Sequence, residues 1–351
     1  MRFRGDGVTM KTSLVGAFAA VVLAGPAVAQ SPGSVPIPRA VPRTLDGRPD
    51  LSGNWSNVSL TKLERPATVR GLTMSEAEAR RLAANDPLRR MAEADRKPSD
   101  PGAGPLAPGG STGHDAVFFD GGEAYAKIRG EYRTSWIVEP ADGRLPLTEL
   151  GARRRREAGA MSGRMDPAGP EDLAPNDRCL IGSRNSGGPG MLNNIYNSNY
   201  RFLQTRDALV VIVEMGFGVR IIPILEDKAA AQAAHRPAVL GPWMGDSTAW
   251  WEGGALVVET VNVNPQQGRF GPIFLSEKGR VTERLTRVSA REIAYEFTVE
   301  DPVHYTQPWR AEMVMSALDG EIYEYACHEG NYAMTGILAG ARRAEGKTAG
   351  N

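Results

Sequence analysis

The chain is 351 residues long and carries 41 basic and 41 acidic side chains, which gives a formal net charge of +0 at pH 7. It has no basic stripe, so we expect no nucleic-acid partner. The one arginine cluster, residues 153–156, lies between Glu149 and Glu157 at helical spacing and is typical of a solvated helix face. This length allows one or two domains with a large core.

Residues 10–30 have the three parts of a secretory signal peptide. Lys11 supplies a positive charge, an apolar run of about ten residues follows, and Ala27-Val28-Ala29 matches the A-x-A cleavage pattern. The apolar run is too short to span a bilayer. We therefore expect cleavage after Ala29, no transmembrane segment in the mature chain, and a location in the periplasm or outside the cell. Met10 gives a more conventional signal than Met1, and both starts stay open.

Cys179 and Cys327 are the two cysteines of the chain. In an oxidising compartment two cysteines without a competitor usually pair, so we predict one disulfide. It would tie the middle of the chain to its last predicted strand. Two thiols are too few for a structural zinc site, and no H-x-x-x-H or C-x-x-C spacing accompanies them, so we expect no metal site.

The predicted elements begin after an extended lead-in, residues 30–49, which is rich in proline, serine and glycine. Residues 50–192 form an N-terminal part with short helices, long irregular loops and a few strands. In chain order it contains an aromatic anchor at Trp55, a capping box at 73–76 that starts a helix ending before Pro87, a mobile loop at 98–113, strands at 117–119 and 133–138, and a helix near 148–160.

After residue 193 the sequence changes to short runs of β-branched and aromatic residues separated by turn sequences. We predict eight strands, at residues 200–204, 208–214, 219–224, 256–263, 281–288, 293–299, 309–315 and 321–327. A long meander hides its edges best by closing, so the predicted fold is mainly all-β, an antiparallel β-barrel over residues 193–340. A two-sheet sandwich is the alternative. Residues 341–351 are expected to form a flexible tail.

Two glutamates on these strands are candidate catalytic residues, because strand alternation places Glu259 and Glu283 among apolar neighbours. A carboxylate in such surroundings is costly unless it is paired. Inside a barrel, desolvation favours the protonated form that a general acid needs. The alternatives are an ion pair with Arg220, Arg284 or Arg287, and a simple outward-facing position.

The end of the last predicted strand holds a third catalytic candidate, His328, which follows Cys327. An imidazole there suits a general base or a ligand contact, with Tyr325 and Asn331 as ligand-binding neighbours. Alternatively, these side chains fix the strand end by satisfying backbone groups. His304 lies in a connection between strands, where ligand-binding residues often collect, although loop histidines are usually inert.

Three of the six tryptophans fall within residues 243–251. Trp243 and Trp251 offer aromatic walls, while Asp246 and Glu252 offer acceptors for hydroxyl groups, so we predict that these four residues bind a sugar ring or a planar aromatic ligand. Core packing at a barrel end is the alternative. Paired carboxylates also suit glycoside hydrolysis, which requires a defined carboxylate separation.

Motifs for nucleotide cofactors and for a catalytic zinc site are absent from the sequence. It has no P-loop, no H-E-x-x-H and no G-x-G-x-x-G that opens a helix after a strand. The glycine-rich residues 183–190 lack the lysine and the following helix of a phosphate cradle. We therefore expect no cofactor.

Several segments together resemble a widespread group of secreted bacterial proteins. The shared motifs span nearly the whole mature chain and are LDGRPDLSGNW (45–55), RTSWIV (133–138), WMGDS (243–247), WEGGALVVET (251–260), RVTER (280–284) and YEYACHEGNY (323–332). The resemblance implies secretion and no particular mechanism. Members tend to carry a histidine and an acid after a glutamate–methionine pair, whereas this chain reads EMGFGVR at 214–220, so a catalytic set there would be lost or replaced. A purely architectural similarity to lipocalin-like barrels implies a small apolar ligand.

Two main hypotheses of function follow. In the first, a periplasmic or secreted barrel binds a small apolar or aromatic molecule in its cavity. In the second, a cofactor-independent hydrolase, hydratase/isomerase or lyase uses that cavity, with Glu259 or Glu283 as the acid/base and His328 as its partner. A third, an envelope-interaction protein, predicts an exposed apolar patch and no cavity. The identity of the ligand and the oligomeric state stay open.

Overall fold

A computed structural model of the protein describes residues 41–87, 89–90, 93, 120–161, 167–182, 185–216, 218–269 and 271–348. The predicted signal peptide, the loop at 98–113 and the strand at 117–119 lie outside the described residues. Among the helices that are described, none has the length and apolar character needed to cross a bilayer.

The described elements are mostly short strands. The strands are β1 (Gly53–Ser56), β2 (Thr73–Met74), β3 (Lys127–Ile128), β4 (Glu131–Arg133), β5 (Ile137–Glu139), β6 (Asn199–Gln204), β7 (Ala208–Val213), β8 (Val219–Pro223), β9 (Asp246–Glu252), β10 (Ala255–Val261), β11 (Arg280–Ser289), β12 (Glu292–Glu300) and β13 (Trp309–Ala317). The α-helices are α1 (Glu76–Ala84), α2 (Glu149–Met161), α3 (Lys228–Ala233) and α4 (Tyr332–Thr348).

Nine strands form a nearly closed antiparallel barrel, which confirms the all-β barrel predicted from the sequence. Their order around the sheet is β8-β7-β6-β1-β13-β12-β11-β10-β9. β1, which comes from the chain before residue 193, lies between β6 and β13, with Trp55 opposite both Tyr200 and Ala317. β5 pairs with the opposite end of β13, at Arg310.

The barrel does not close along its whole length. Its two terminal strands, β8 and β9, run parallel and meet at a bridge between Ile224 and Ala249, where Leu225 N donates to Ala249 O at 2.7 Å. On the N-terminal side of this bridge, the described residues of β8 and β9 form no ladder of backbone hydrogen bonds with each other. We call this junction, between β8 and residues 246–248 of β9, the seam.

Aromatic side chains fill the middle of the barrel. The ring centroids of Phe297 and Trp309 lie 5.6 Å apart, and those of Tyr305 and Trp309 lie 5.7 Å apart, both in edge-to-face contact. Trp55 and Tyr200 are buried in the same cluster. Complete burial of such a side chain contributes about 1.5–3 kcal/mol. The centre of the barrel is therefore a packed core rather than an open lumen.

The C-terminal region differs from the sequence prediction. Residues 321–327, predicted as the last strand, follow β13 without regular secondary structure. The edge of β13 that they would pair with is occupied by β1. The strand prediction is therefore wrong. Helix α4 runs through Thr348, across most of the segment expected to be a flexible tail.

The N-terminal part agrees with the prediction in outline. Helix α1 ends before Pro87 as predicted, but its cap is Ser75, whose side chain accepts from Glu78 N, rather than Thr73. The strand predicted at 133–138 is interrupted between β4 and β5. Helix α2 corresponds to the helix predicted near 148–160. The predicted disulfide between Cys179 and Cys327 is confirmed.

Candidate functional site

Glu283 points into the barrel, where an ion pair holds it. Arg220 of β8 donates to Glu283 through Nη2 at 2.5 Å and through Nη1 at 3.2 Å. Tyr295 Oη donates to the same carboxylate at 2.5 Å, and the amide of Gly190 donates at 3.3 Å. Of the arrangements considered from the sequence, the ion pair with Arg220 is therefore the one that the structure shows.

The protonation of this buried network follows from its charges. Burial would lower the pKa of Arg220, but the adjacent Glu283 carboxylate raises it above the ordinary value. Burial and Glu283 together raise the pKa of Tyr295 well above the ordinary value. Both donors therefore keep their protons at neutral pH. Three groups donate four hydrogen bonds to Glu283, and this geometry favours a structural role for it.

Glu259 lies on the outer face of the barrel and not in its interior. Leu256 and Val258 of β10 point into the main core, so the alternating Glu259 points outward to the face on which α3 packs. Its Oε1 lies 3.3 Å from His235 Nε2, and its Oε2 accepts from Gln232 Nε2 at 3.1 Å. The expected interior position is therefore wrong. Both faces of β10 are buried, so alternation alone does not identify the inner one.

His235 connects Glu259 to Asp246 on the neighbouring strand, because His235 Nδ1 lies 3.0 Å from Asp246 Oδ2. Asp246 also accepts from the backbone N of Arg236 at 2.8 Å and from its Nε at 2.6 Å. Burial would raise the pKa of Asp246, but the hydrogen bonds from Arg236 and His235 outweigh burial and hold the pKa below its ordinary value. We call Arg236, Asp246, His235 and Glu259 the outer relay.

A cavity of about 470 Å³ opens at the seam. Arg220 and Ser247, joined by a 3.1 Å hydrogen bond from Arg220 Nη2 to Ser247 Oγ, line its inner side. Arg236 and Asp246 of the outer relay line its outer side. The remaining walls are mainly apolar and include Val219, Ile221, Pro223, Leu225, Trp243 and Met244. We call this space the seam cavity.

Of the four residues predicted to form an aromatic ligand site, Trp243 and Asp246 line the seam cavity. Trp251 instead packs against the main core. Glu252 lies at the end of β9 and accepts from Arg284 Nη1 at 2.9 Å. The structure thus brings two of the four together and uses the other two in packing and in a surface ion pair.

The C-terminal candidates lie in a separate region beside the disulfide. His328 is exposed, in a 3-10 turn that spans His328–Gly330. Tyr325 and Asn331 line a second cavity, of about 370 Å³. With one glutamate inside the barrel and the other under α3, the three catalytic candidates are in three different places. The acid/base set of the enzyme hypothesis is not assembled in this geometry.

His304 is buried against a carboxylate. Its Nδ1 lies 3.0 Å from Asp301 Oδ2, and Asp301 also accepts from Ser276 N at 2.6 Å and from Ser276 Oγ at 2.9 Å. Burial would raise the pKa of Asp301, but the hydrogen bonds from His304, Ser276 and Val303 lower it to about 2. This arrangement fixes the connection between β12 and β13.

Acid is expected to destabilise the fold through Asp301. Its pKa falls from an ordinary 3.8 to about 2 on folding, so its contribution is complete above pH 3.8 and is lost as the pH falls toward 2. At neutral pH we expect Asp301→Asn to lower the free energy of unfolding by about 1–2 kcal/mol, allowing for solvent screening. Urea unfolding of both proteins across the acid range measures the difference. A difference that does not shrink toward pH 2 contradicts this assignment.

His235 and Arg236, which contact Asp246, are not among the site residues predicted from the sequence. The sequence carries one signal for them. Asp227 caps the alanine-rich α3 by accepting from Ala230 N at 2.8 Å, and His235 follows directly after the C-cap residue of that helix. A helix predicted there would have placed His235 and Arg236 at the start of the loop that covers β9 and β10.

The comparisons with known proteins return no match to any protein-family model, curated protein or solved structure. Within the described part of the chain, no group of three or more His, Cys, Asp or Glu residues is arranged to hold a metal ion.

Proposed function

We propose that this protein binds a small apolar or aromatic molecule in the seam cavity. The observation that carries the proposal is the incomplete closure of the barrel, which opens a cavity of about 470 Å³ between β8 and β9. Ligand sites of proteins typically measure about 300–1,000 Å³ and combine apolar walls with a few polar groups. The seam cavity fits that description, whereas the middle of the barrel is filled by its own side chains.

The exposure of the cavity walls supports a ligand. Ile221, on the outer face of β8, is 67% exposed, and Val219 on the same strand is 49% exposed. Adjacent exposed aliphatic residues at a concave site favour binding of an apolar body. Trp243 adds an aromatic surface against which a planar ring can stack.

We also propose that binding takes place in the periplasm or outside the cell. The disulfide between Cys179 and Cys327 supports an oxidising compartment. The signal-like residues 10–30 and the resemblance to secreted bacterial proteins point the same way. Gln30 is the expected N-terminal residue of the mature protein, and mass spectrometry of protein isolated from its native host tests this.

A neutral aromatic dye tests the cavity directly. We expect phenylnaphthylamine (NPN) to bind saturably, with one site per chain, and to gain fluorescence. Ile221→Ser and Trp243→Ala are each expected to weaken its affinity by about tenfold, because each removes apolar contact area from the cavity. Fluorescence titration at constant protein concentration measures the effect.

Leu203→Ser is the matched control. Leu203 is an aliphatic strand residue that is 47% exposed, on β6, and it does not line the seam cavity. Its replacement is expected to leave NPN affinity unchanged. An equal loss in Leu203→Ser would instead indicate a flat apolar surface, as the envelope-interaction hypothesis predicts. That result, or a failure of NPN to saturate, would contradict the proposed function.

A further inference from the structure

We infer that the seam cavity selects organic anions, in which an apolar or aromatic body carries a carboxylate, sulfonate or similar head, and that Arg236 binds the head. This inference rests on the proposed function and specifies its ligand class. It is carried by the position of one guanidinium, by the groups that hold it, and by the pairing of the other charges in the cavity.

The guanidinium of Arg236 is anchored on one side and open on the other. Its Nε donates to Asp246 Oδ1 at 2.6 Å, and its backbone N donates to Asp246 Oδ2 at 2.8 Å. Its Nη1 and Nη2 have no hydrogen-bond partner among the residues that the structure describes, and the side chain is 60% exposed at the cavity. A guanidinium with both terminal nitrogens open matches the two oxygens of a carboxylate or sulfonate.

The outer relay keeps this guanidinium in place. Asp246 is held from behind by His235 Nδ1 at 3.0 Å, and His235 Nε2 is held by Glu259 at 3.3 Å. The side chains of His235 and Asp246 are 12% and 7% exposed, so neither has room to move away from Arg236. A side chain held in its binding conformation loses less conformational entropy when it binds a ligand.

The other charges of the cavity leave Arg236 as the recognition group. Arg220 donates to Glu283 through both Nη1 and Nη2, so neither of its terminal nitrogens is open to a ligand. Both oxygens of Asp246 already accept hydrogen bonds from Arg236 and His235. Asp246 is therefore a poor partner for a cationic ligand. An anionic head on Nη1 and Nη2 adds charge-assisted hydrogen bonds without breaking any of these contacts.

A matched pair of dyes isolates the head group. Anilinonaphthalene sulfonate (ANS) has the aromatic body of NPN and adds a sulfonate. We expect the native protein to bind ANS about tenfold more tightly than NPN, and this affinity ratio to fall to about one in Arg236→Gln. The ratio is the readout because it cancels general changes in the cavity. A ratio that stays near ten in Arg236→Gln overturns the inference and leaves the NPN result standing.

Two further variants sharpen the test. Arg206→Gln removes an arginine that is exposed at the turn between β6 and β7, and we expect it to keep the native ratio. An equal fall in Arg206→Gln would mean that overall charge attracts ANS, and it overturns the inference. Arg236→Lys keeps the charge but lacks the planar fork, so we expect an intermediate ratio. A native ratio in Arg236→Lys would overturn the role of Asp246 in orienting the guanidinium.

Discussion

Arg220→Leu is expected to lower the free energy of unfolding by about 3–5 kcal/mol, because it leaves the Glu283 carboxylate buried inside the barrel without its cation. The two side chains are 3% and 1% exposed, so water does not replace the lost partner. The amide of Gly190 and the hydroxyl of Tyr295 remain as donors but carry no compensating charge. Chemical denaturation followed by tryptophan fluorescence measures the loss.

A second variant separates charge from packing. Arg220→Leu combined with Glu283→Gln removes both charges and keeps an acceptor for Tyr295, so we expect it to recover at least half of the lost stability. Arg291→Leu breaks a surface ion pair with Asp319 and is expected to change stability little. If Arg220→Leu were as harmless as Arg291→Leu, the buried ion pair would not be the strong constraint described here.

Removal of the disulfide is expected to have the second large effect. Cys179 and Cys327 are separated by 148 residues, and a cross-link over such a span restricts the unfolded chain strongly. We expect Cys179→Ser combined with Cys327→Ser to lower the free energy of unfolding by about 3–5 kcal/mol. Denaturation of the variant and of the native protein under oxidising conditions gives the difference.

Reduction provides the control for the disulfide. The native protein in dithiothreitol is expected to match the double-serine variant, while the variant itself is expected to be insensitive to the reductant. A native protein whose stability is equal with and without the reductant would show that the bond contributes little. It would also weaken the argument that the fold is adapted to an oxidising compartment.

The barrel strands were largely predictable because inward and outward residues alternate along them and turn sequences separate them. β11 and β12 show it most clearly, with inward residues such as Leu285 and Tyr295 at every second position and a short turn between the strands. The disulfide followed from the chain having two cysteines. Pro223 ends β8 at the open edge of the sheet, a position that suits a proline because it has no N–H to donate to a neighbouring strand.

The strands that were missed or wrongly predicted depend on tertiary pairing. β1 is four residues long and is a strand because β6 and β13 lie on either side of it. β9 lacks clear alternation because its outward Thr248 and Trp250 are buried against α3 and its surroundings. Residues 321–327 are rich in aromatic and aliphatic side chains, but β1 occupies the edge of β13 with which they would pair.

The candidate site was predictable only in part, because its geometry also depends on tertiary contacts. The sequence predicted Trp243 and Asp246 as ligand-binding residues, and strand alternation marked Glu283 and Glu259 as unusual. It did not show which face of β10 is inner, so Glu259 was expected inside although it lies under α3. The cap at Asp227 places His235 just after a helix, but its contacts with Asp246 and Glu259 form only when two strands pack beside it.

The seam between β8 and β9 is the proposed ligand site. A crystal structure of the protein saturated with NPN tests it most directly. The predicted result is one dye molecule in the seam cavity, with its rings against Trp243 and Ile221 and with the core of the barrel unchanged. Dye bound inside the barrel, or on the outer surface with the seam cavity empty, would contradict the claim.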